Sequence, residues 1–169
     1  MRALVVYESM YGNTRQIAEA IAGALGGTTV PVAEATAERV ADADLVVIGG
    51  PTHMFGMSRP SSRKSAATAA AKPNSGLRLE PNATGPGVRE WLAEHVRDVR
   101  AAAVFDTRIK LPMLVGGRAS RRIAAVLRRN RVKLVAGPQS FLVDKTNHLL
   151  HGELDRAERW GRDLATEAR

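Results

Sequence analysis

Residues 8–14, Glu-Ser-Met-Tyr-Gly-Asn-Thr, crowd three hydroxyls, an amide and a glycine between an apolar run, Leu4-Val5-Val6, and a segment of helical period. A helix that starts at Asn13 or Thr14 leaves backbone N–H groups without intrahelical partners and carries about half a positive charge at that end. Ser9, Asn13 and Thr14 add short donors, and Gly12 lets the backbone turn closely. Such a junction can seat one phosphate monoester dianion; the alternative is an ordinary helix cap. The stretch has no lysine, so it is not the nucleoside-triphosphate loop with its Gly-Lys-Ser/Thr, and the dinucleotide fingerprint Gly-x-Gly-x-x-Gly is absent too. A second stretch, Gly49-Gly50-Pro51-Thr52-His53, also leaves an apolar run.

Other chemistry is thinly supported. The four histidines, His53, His95, His148 and His151, lack metal-ligand spacing, and the absence of cysteine excludes disulfides and thiolate sites. Glu8 stands with Ser9 rather than a second acid, so the acidic pair of a receiver domain is missing.

The elements that must position these loops alternate. Residues 2–7 read as a strand, and 13–25 as a helix with Ile17, Ala18, Ile21, Ala22 and Leu25 on one stripe. Gly26-Gly27 ends that helix. A strand at 28–32, a short helix at about 36–42 and a continuous apolar strand at 44–50 follow. Further on come a helix at 87–97, a strand at 101–105 and a basic amphipathic helix at 119–130. Strand-like runs at 132–135 and 140–143 read as one strand interrupted near Gly137-Pro138, and a helix at 152–167 closes the chain. Trp91 and Trp160 lie on apolar helical stripes and belong to the core. Five strands alternating with five principal helices predict a parallel sheet covered on both faces, in a single domain over 1–169. Residues 57–86, rich in Ala, Ser and Pro, do not fit the alternation and read as an insertion or lid. Its centre predicts a helix capped by Ser61 or Ser62, and 73–87 reads as loop. In such sheets ligands sit beyond the carboxyl ends of the strands, which points to the loops 8–14, 50–57 and 105–113.

The 25 Lys and Arg residues against 17 Asp and Glu give a net charge of +8, and only five of the basic residues are lysines. The tract Arg118, Arg121, Arg122, Arg128, Arg129, Arg131 and Lys133 lacks interleaved aromatics, which argues against nucleic acid and favours an acidic protein partner. No apolar run reaches the roughly 20 residues of a membrane span. Met1-Arg2 leads straight into the first strand without a signal region, which points to the cytoplasm.

Ser9-Met10-Tyr11-Gly12-Asn13-Thr14 resembles the phosphate-binding loop of the flavodoxin family, and Gly49-Gly50-Pro51-Thr52-His53 resembles that family's second flavin-contacting loop. The stretches Gly56-Met57-Ser58-Arg59-Pro60, Phe105-Asp106-Thr107-Arg108 and Gly152 through Gly161 are similar to small single-domain members. The resemblance implies a doubly wound α/β three-layer sandwich with a five-stranded parallel sheet in the order 2-1-3-4-5. It implies noncovalent FMN, with the phosphate in Ser9, Met10, Tyr11, Gly12, Asn13 and Thr14. The ring would lie between Pro51, Thr52, His53, Met54, Phe55 and Gly56 on one side and Phe105, Asp106, Thr107 and Arg108 on the other. Asp106 and Arg108 would meet the ring's pyrimidine edge, or pair with each other. The chain departs from the family in its scarcity of aromatics and in Arg15, where an acidic or neutral residue is common. That arginine either strengthens phosphate binding or points to solvent.

The expected function is electron transfer by bound FMN, with a redox partner protein or a small quinone-type acceptor and no catalytic acid or base. The alternatives are an FMN-dependent NAD(P)H:quinone reductase or protoporphyrinogen-oxidase-like enzyme, and a binding module that has lost the cofactor. Arg15, Arg59, Arg108 and Arg118 are expected on the flavin side, where acidic residues are usual in the family.

Overall fold

The computed structural model of the chain describes residues 1–110 and 117–168. Its sheet is built on β1 (Ala3–Tyr7), which pairs in parallel with β2 (Thr28–Pro31) on one side and β3 (Leu45–Pro51) on the other. β3 pairs with β4 (Ala101–Ile109), the longest strand. The free edge of β4 is then used twice. β5 (Lys133–Leu134) pairs with Ala101 and Ala102, and β6 (Gln139–Val143) pairs with Phe105 through Ile109. The order is therefore 2-1-3-4 with β5 and β6 sharing the fifth position, interrupted where Gly137-Pro138 predicts it. The flavodoxin-like order expected from the sequence holds, with the sixth strand a minor addition.

Side chains alternate across each strand, so the sheet feeds two cores. Val5, Val47, Ala103 and Phe105 pack with α1 (Asn13–Leu25) and α6 (Glu153–Glu167). Leu4, Val6, Ile48 and Val104 pack on the opposite face with α4 (Val88–His95) and α5 (Ala119–Arg129). The five-residue α2 (Ala37–Ala41) adds Val40 to that second core. Both tryptophans are core residues. Trp91 donates its indole N–H to the Ala35 carbonyl at 2.8 Å, and Trp160 meets Phe105 and Phe141 edge-on. Gly26 ends α1 in the left-handed conformation, at φ 65°.

Two expectations need correction. The strand expected at 101–105 runs on to Ile109, because β3 on one side and β6 on the other offer ladder partners beyond Phe105. Phe105 through Arg108 are consequently strand, not loop. In the 57–86 segment, α3 (Pro60–Ala70) has Arg59, not Ser61 or Ser62, at its N-cap. Ser62 instead reaches back, its Oγ accepting the Arg59 N–H at 2.9 Å. Residues 73–86 form no helix or strand, as expected, yet they are tied to the body of the protein. The Glu80 N–H donates to the Met10 carbonyl at 2.8 Å, and Ala83 is buried.

Candidate functional site

At the carboxyl ends of β1, β3 and β4 lies a cleft of about 490 Å³. Its walls come from the loop after β1, the turn after β3, the end of β4, one face of α3, Val143 at the end of β6 and Asn147 beyond it. The sequence-predicted residues Ser9, Met10, Tyr11, Asn13, Thr14, Pro51, Thr52, His53, Met54, Thr107 and Arg108 meet around it. Ser61, Ser62, Ser65 and Ala66, from the segment read as a lid, join them, although none was among the predicted site residues. The Ser-rich face of α3 was the signal in the sequence, and what brings it over the cleft is tertiary: Tyr11 Oη donates to the Ala66 carbonyl at 2.8 Å.

The loop before α1 is held from several directions. Gly12 takes φ 93°, a conformation that favours glycine, and donates its N–H to Ser9 Oγ at 3.1 Å. Ser9 acts there as acceptor and retains its own hydroxyl proton. Thr14 Oγ1 lies 2.7 Å from Thr107 Oγ1, and Asn13 Nδ2 donates to the Asn147 carbonyl at 2.8 Å. The helix itself has no side-chain N-cap and no acidic residue in its first turn. Among the described residues the N–H groups of Asn13, Thr14 and Arg15 have no hydrogen-bond acceptor. Unpaired donors at a helix N-terminus, with no acid beside them in the helix, suit an anion. Arg15, its side chain partly exposed to solvent, is engaged in ion pairs at the surface. It pairs with Glu19 at 3.0 Å and Glu80 at 3.1 Å, which spends its charge on carboxylates.

The turn after β3 closes by two hydrogen bonds, His53 N–H to the Gly56 carbonyl at 2.9 Å and Gly56 N–H to the His53 carbonyl at 3.1 Å. Met54 sits at its tip with φ 54°, and Met54 and Phe55 are both exposed. His53 Nδ1 is 3.0 Å from Ser62 Oγ, and the Ser62 hydroxyl donates to the Arg59 carbonyl at 3.0 Å. The one proton of Ser62 is thus committed, so Nδ1 carries the histidine proton in this arrangement. Burial, reinforced by the Arg63 charge, pushes the His53 pKa down and keeps the ring neutral at neutral pH.

Besides Gly12, which shapes the loop without walling the cleft, four predicted residues stand differently. Phe55 lines a neighbouring groove, and neither it nor Gly56 walls the cleft. Phe105 is fully buried between Phe141 and Trp160. Asp106 is also fully buried, and its Oδ2 accepts the Ser120 N–H at 2.8 Å while Thr52 Oγ1 accepts the Ala119 N–H at 3.0 Å. Together they cap α5, whose N-terminal end is thereby fixed beside the cleft. Asp106 and Arg108 form no ion pair; Arg108 lines the cleft, and of loop 105–113 the residues 111–113 lie outside the described ones.

Burial raises the Asp106 pKa, and its hydrogen bonds to Ser120 and the Arg108 charge only partly oppose this. A carboxyl whose folded-state pKa is raised stabilises the fold below its unfolded pKa, near 4, and loses that contribution as pH rises through the folded value. The Asp106→Asn variant keeps an acceptor for Ser120. Wild-type stability relative to this variant is therefore expected to fall as pH rises from about 4 toward neutrality. Urea midpoints measured across that range check it, and a rising difference would show that the carboxylate is favoured in the folded state.

Among the described residues, no group of three or more His, Cys, Asp or Glu is arranged to hold a metal. No helix among them is long and apolar enough to cross a membrane.

Comparison with known proteins agrees with this architecture. The fold is similar to that of a flavodoxin from the domain Archaea, at 18% identity and TM-score 0.70, with 99% of each chain covered. It is similar to a flavodoxin, WrbA-like protein from Agrobacterium tumefaciens at 21% identity and TM-score 0.58, covering 99% of this chain and 97% of that one. It also matches part of rubredoxin oxygen:oxidoreductase from the anaerobe Desulfovibrio gigas, at 15% identity and TM-score 0.61, covering 99% of this chain and 36% of that longer one. No protein of the curated set matches the sequence. The flavodoxin domain family matches residues 4–115, which span β1 through β4 and both loops that lead into the cleft, and the chain belongs to that family.

Proposed function

We propose that the chain binds FMN in this cleft and serves as an electron-transfer protein. The observation that carries the reading is the uncapped N-terminus of α1, which opens on the cleft with unpaired N–H groups and the Ser9 hydroxyl beside it. The residues present fit the cofactor. The backbone of Asn13, Thr14 and Arg15 with Ser9 would hold its phosphate, while Pro51, Thr52, His53, Met54, Thr107 and Arg108 would wall its ring. When bound, FMN supplies reversible uptake of one or two electrons. The chain's own residues set where it lies and at what potential it works, and no side chain is assigned as acid or base.

Titration of the protein with FMN, read by quenching of flavin fluorescence, is expected to saturate at one FMN per chain. An absorption spectrum identical to that of free FMN at every ratio would sink the reading. NADPH oxidation by the isolated protein with a quinone would move the assignment from carrier to reductase.

Among the arginines expected near the ring, Arg15 is neutralised by two carboxylates, whereas Arg108 lines the cleft without an ion-pair partner among the described residues. A cation about 8 Å from a negative charge stabilises it by roughly 0.5 kcal/mol in water and about 2 kcal/mol at an effective dielectric near 20. For one electron this corresponds to roughly 20 to 90 mV. Arg108→Gln is therefore expected to lower the potential of the second electron by that amount in spectroelectrochemistry. An unchanged potential would place the guanidinium outside the field of the ring.

For a protein partner, the outer face of α5 offers Arg121, Arg122, Arg128 and Arg129, all exposed, on a helix anchored at the cleft through Thr52 and Asp106. This supports an acidic redox partner whose association slows as salt shortens the Debye length.

A further inference from the structure

Beside the cleft, on the far side of the 53–56 turn, lies a second concavity of about 540 Å³. The two share His53, Met54, Ser61 and Ser62 as a common wall. Three guanidiniums, Arg59, Arg89 and Arg122, line this groove, and among the described residues no aspartate or glutamate does. They come from three separate elements: the residue before α3, α4 and α5. Among the described residues none of the three is in ion-pair contact with a carboxylate, although Arg2, Arg15, Arg63, Arg156 and Arg162 each are.

The groove also orders its charges. Arg89 donates from Nε to the Ser58 carbonyl and from a terminal nitrogen to the Met57 carbonyl, both at 3.1 Å, so its plane is fixed without its charge being cancelled. Arg122 runs its aliphatic stem along Gly56, where a Cβ would stand 3.3 Å from Cγ. Between the arginines the lining is mixed: Met54, Phe55 and Met57 give it an apolar part, and His53, Ser61 and Ser62 a polar one. Met57 is buried, and Phe55 and Met54 are 64% and 82% exposed, the two most exposed large apolar side chains of the described residues.

We propose that this groove binds a small organic anion, a molecule with an apolar planar body and two or more carboxylate, sulfonate or phosphate groups. The body would lie against Phe55 and Met57, and the acid groups would meet the guanidiniums, whose planar forks suit oxyanions. A volume within the range of about 300–1,000 Å³ typical of ligand sites, and a concave form, favour a small molecule over a protein surface. A molecule seated there touches the wall that also bounds the cleft. The site does not depend on the flavin reading, since it is built by the chain alone.

Anthraquinone-2,6-disulfonate is a suitable probe, offered to the full chain with and without FMN and followed by calorimetry and by amide NMR shifts. One site is expected, with shifts centred on Phe55, Met57 and Arg122, and FMN should not displace the probe. Arg122→Gln and Arg59→Gln change exposed side chains, so the fold is expected to survive. Each should weaken the probe about tenfold, and 0.5 M salt should weaken it further. Displacement of the probe by FMN would show that it occupies the cleft and overturn the assignment. Unchanged affinity in the double variant, or equal affinity for an uncharged naphthoquinone, would overturn it as well. FMN affinity, measured separately in each variant, keeps this outcome distinct from failure of the flavin reading.

Discussion

Ser9→Asp is expected to abolish FMN binding while leaving the protein folded. Ser9 Oγ accepts the Gly12 N–H that shapes the loop, and a carboxylate at the same position can accept it equally well. What changes is the charge that an incoming phosphate meets. At a separation of about 5 Å, a carboxylate and a phosphate dianion repel by about 1.7 kcal/mol in water and about 6.6 kcal/mol at an effective dielectric of 20. Ser9 is 8% exposed, which places the site toward the second figure. Even the first weakens binding more than tenfold. Ser9→Ala removes one donor and adds no charge, so it should cost only about three- to tenfold. Fluorescence titration gives both affinities, and the thermal midpoint reports folding. Equal affinity of Ser9→Asp and wild type would remove the phosphate from this loop.

Gly49→Ala is expected to be among the most damaging single methyl additions in the chain. Gly49 stands opposite Phe105 across the β3–β4 pair, and the Phe105 ring fills the space where its side chain would be. A Cβ at Gly49 would fall 2.0–2.5 Å from three ring carbons. The ring cannot swing aside freely, because Phe141 and Trp160 meet it at centroid distances of 6.0 and 6.4 Å. Overpacking of a filled core costs about 1–3 kcal/mol and occasionally more, and this site belongs at the upper end. For a chain of this size about 3 kcal/mol lowers the thermal midpoint by roughly 6–12 °C. Gly50→Ala is the control: its Cβ would meet only the Val88 side chain at 3.3 Å and Glu8 at 3.9 Å. A similar midpoint for the two variants would show that the Phe105 ring relaxes at little cost.

Much of the architecture was legible because it is local. Apolar spacing marked β1, α1 and β3, the Gly26-Gly27 pair marked the end of α1, and Gly137-Pro138 marked the break between β5 and β6. Trp91 and Trp160 lay on helical stripes and are core residues. Each of these rests on backbone conformation or on periodicity within one element, which neighbouring residues determine among themselves. The loops after β1 and β3 were legible for the same reason, since a strand that passes directly into a helix or turn must expose its donors there.

The roles of single side chains around the cleft depended on contacts the chain order does not display. Residues 105–108 read as one contiguous contact. Extension of β4 by the β6 ladder makes them strand, and strand alternation sends neighbours to opposite layers. Phe105 enters the α1–α6 core and Thr107 meets Thr14, while Asp106 caps α5 on the other face and Arg108 follows it in register. Arg15 found Glu80, 65 residues away, and Tyr11 found the Ala66 carbonyl, 55 residues away. The sequence by itself determined which elements form and in what order they join. Tertiary structure decided which charges meet a ligand and which meet one another, because a guanidinium or carboxylate takes the nearest partner in space and the fold alone brings that partner near.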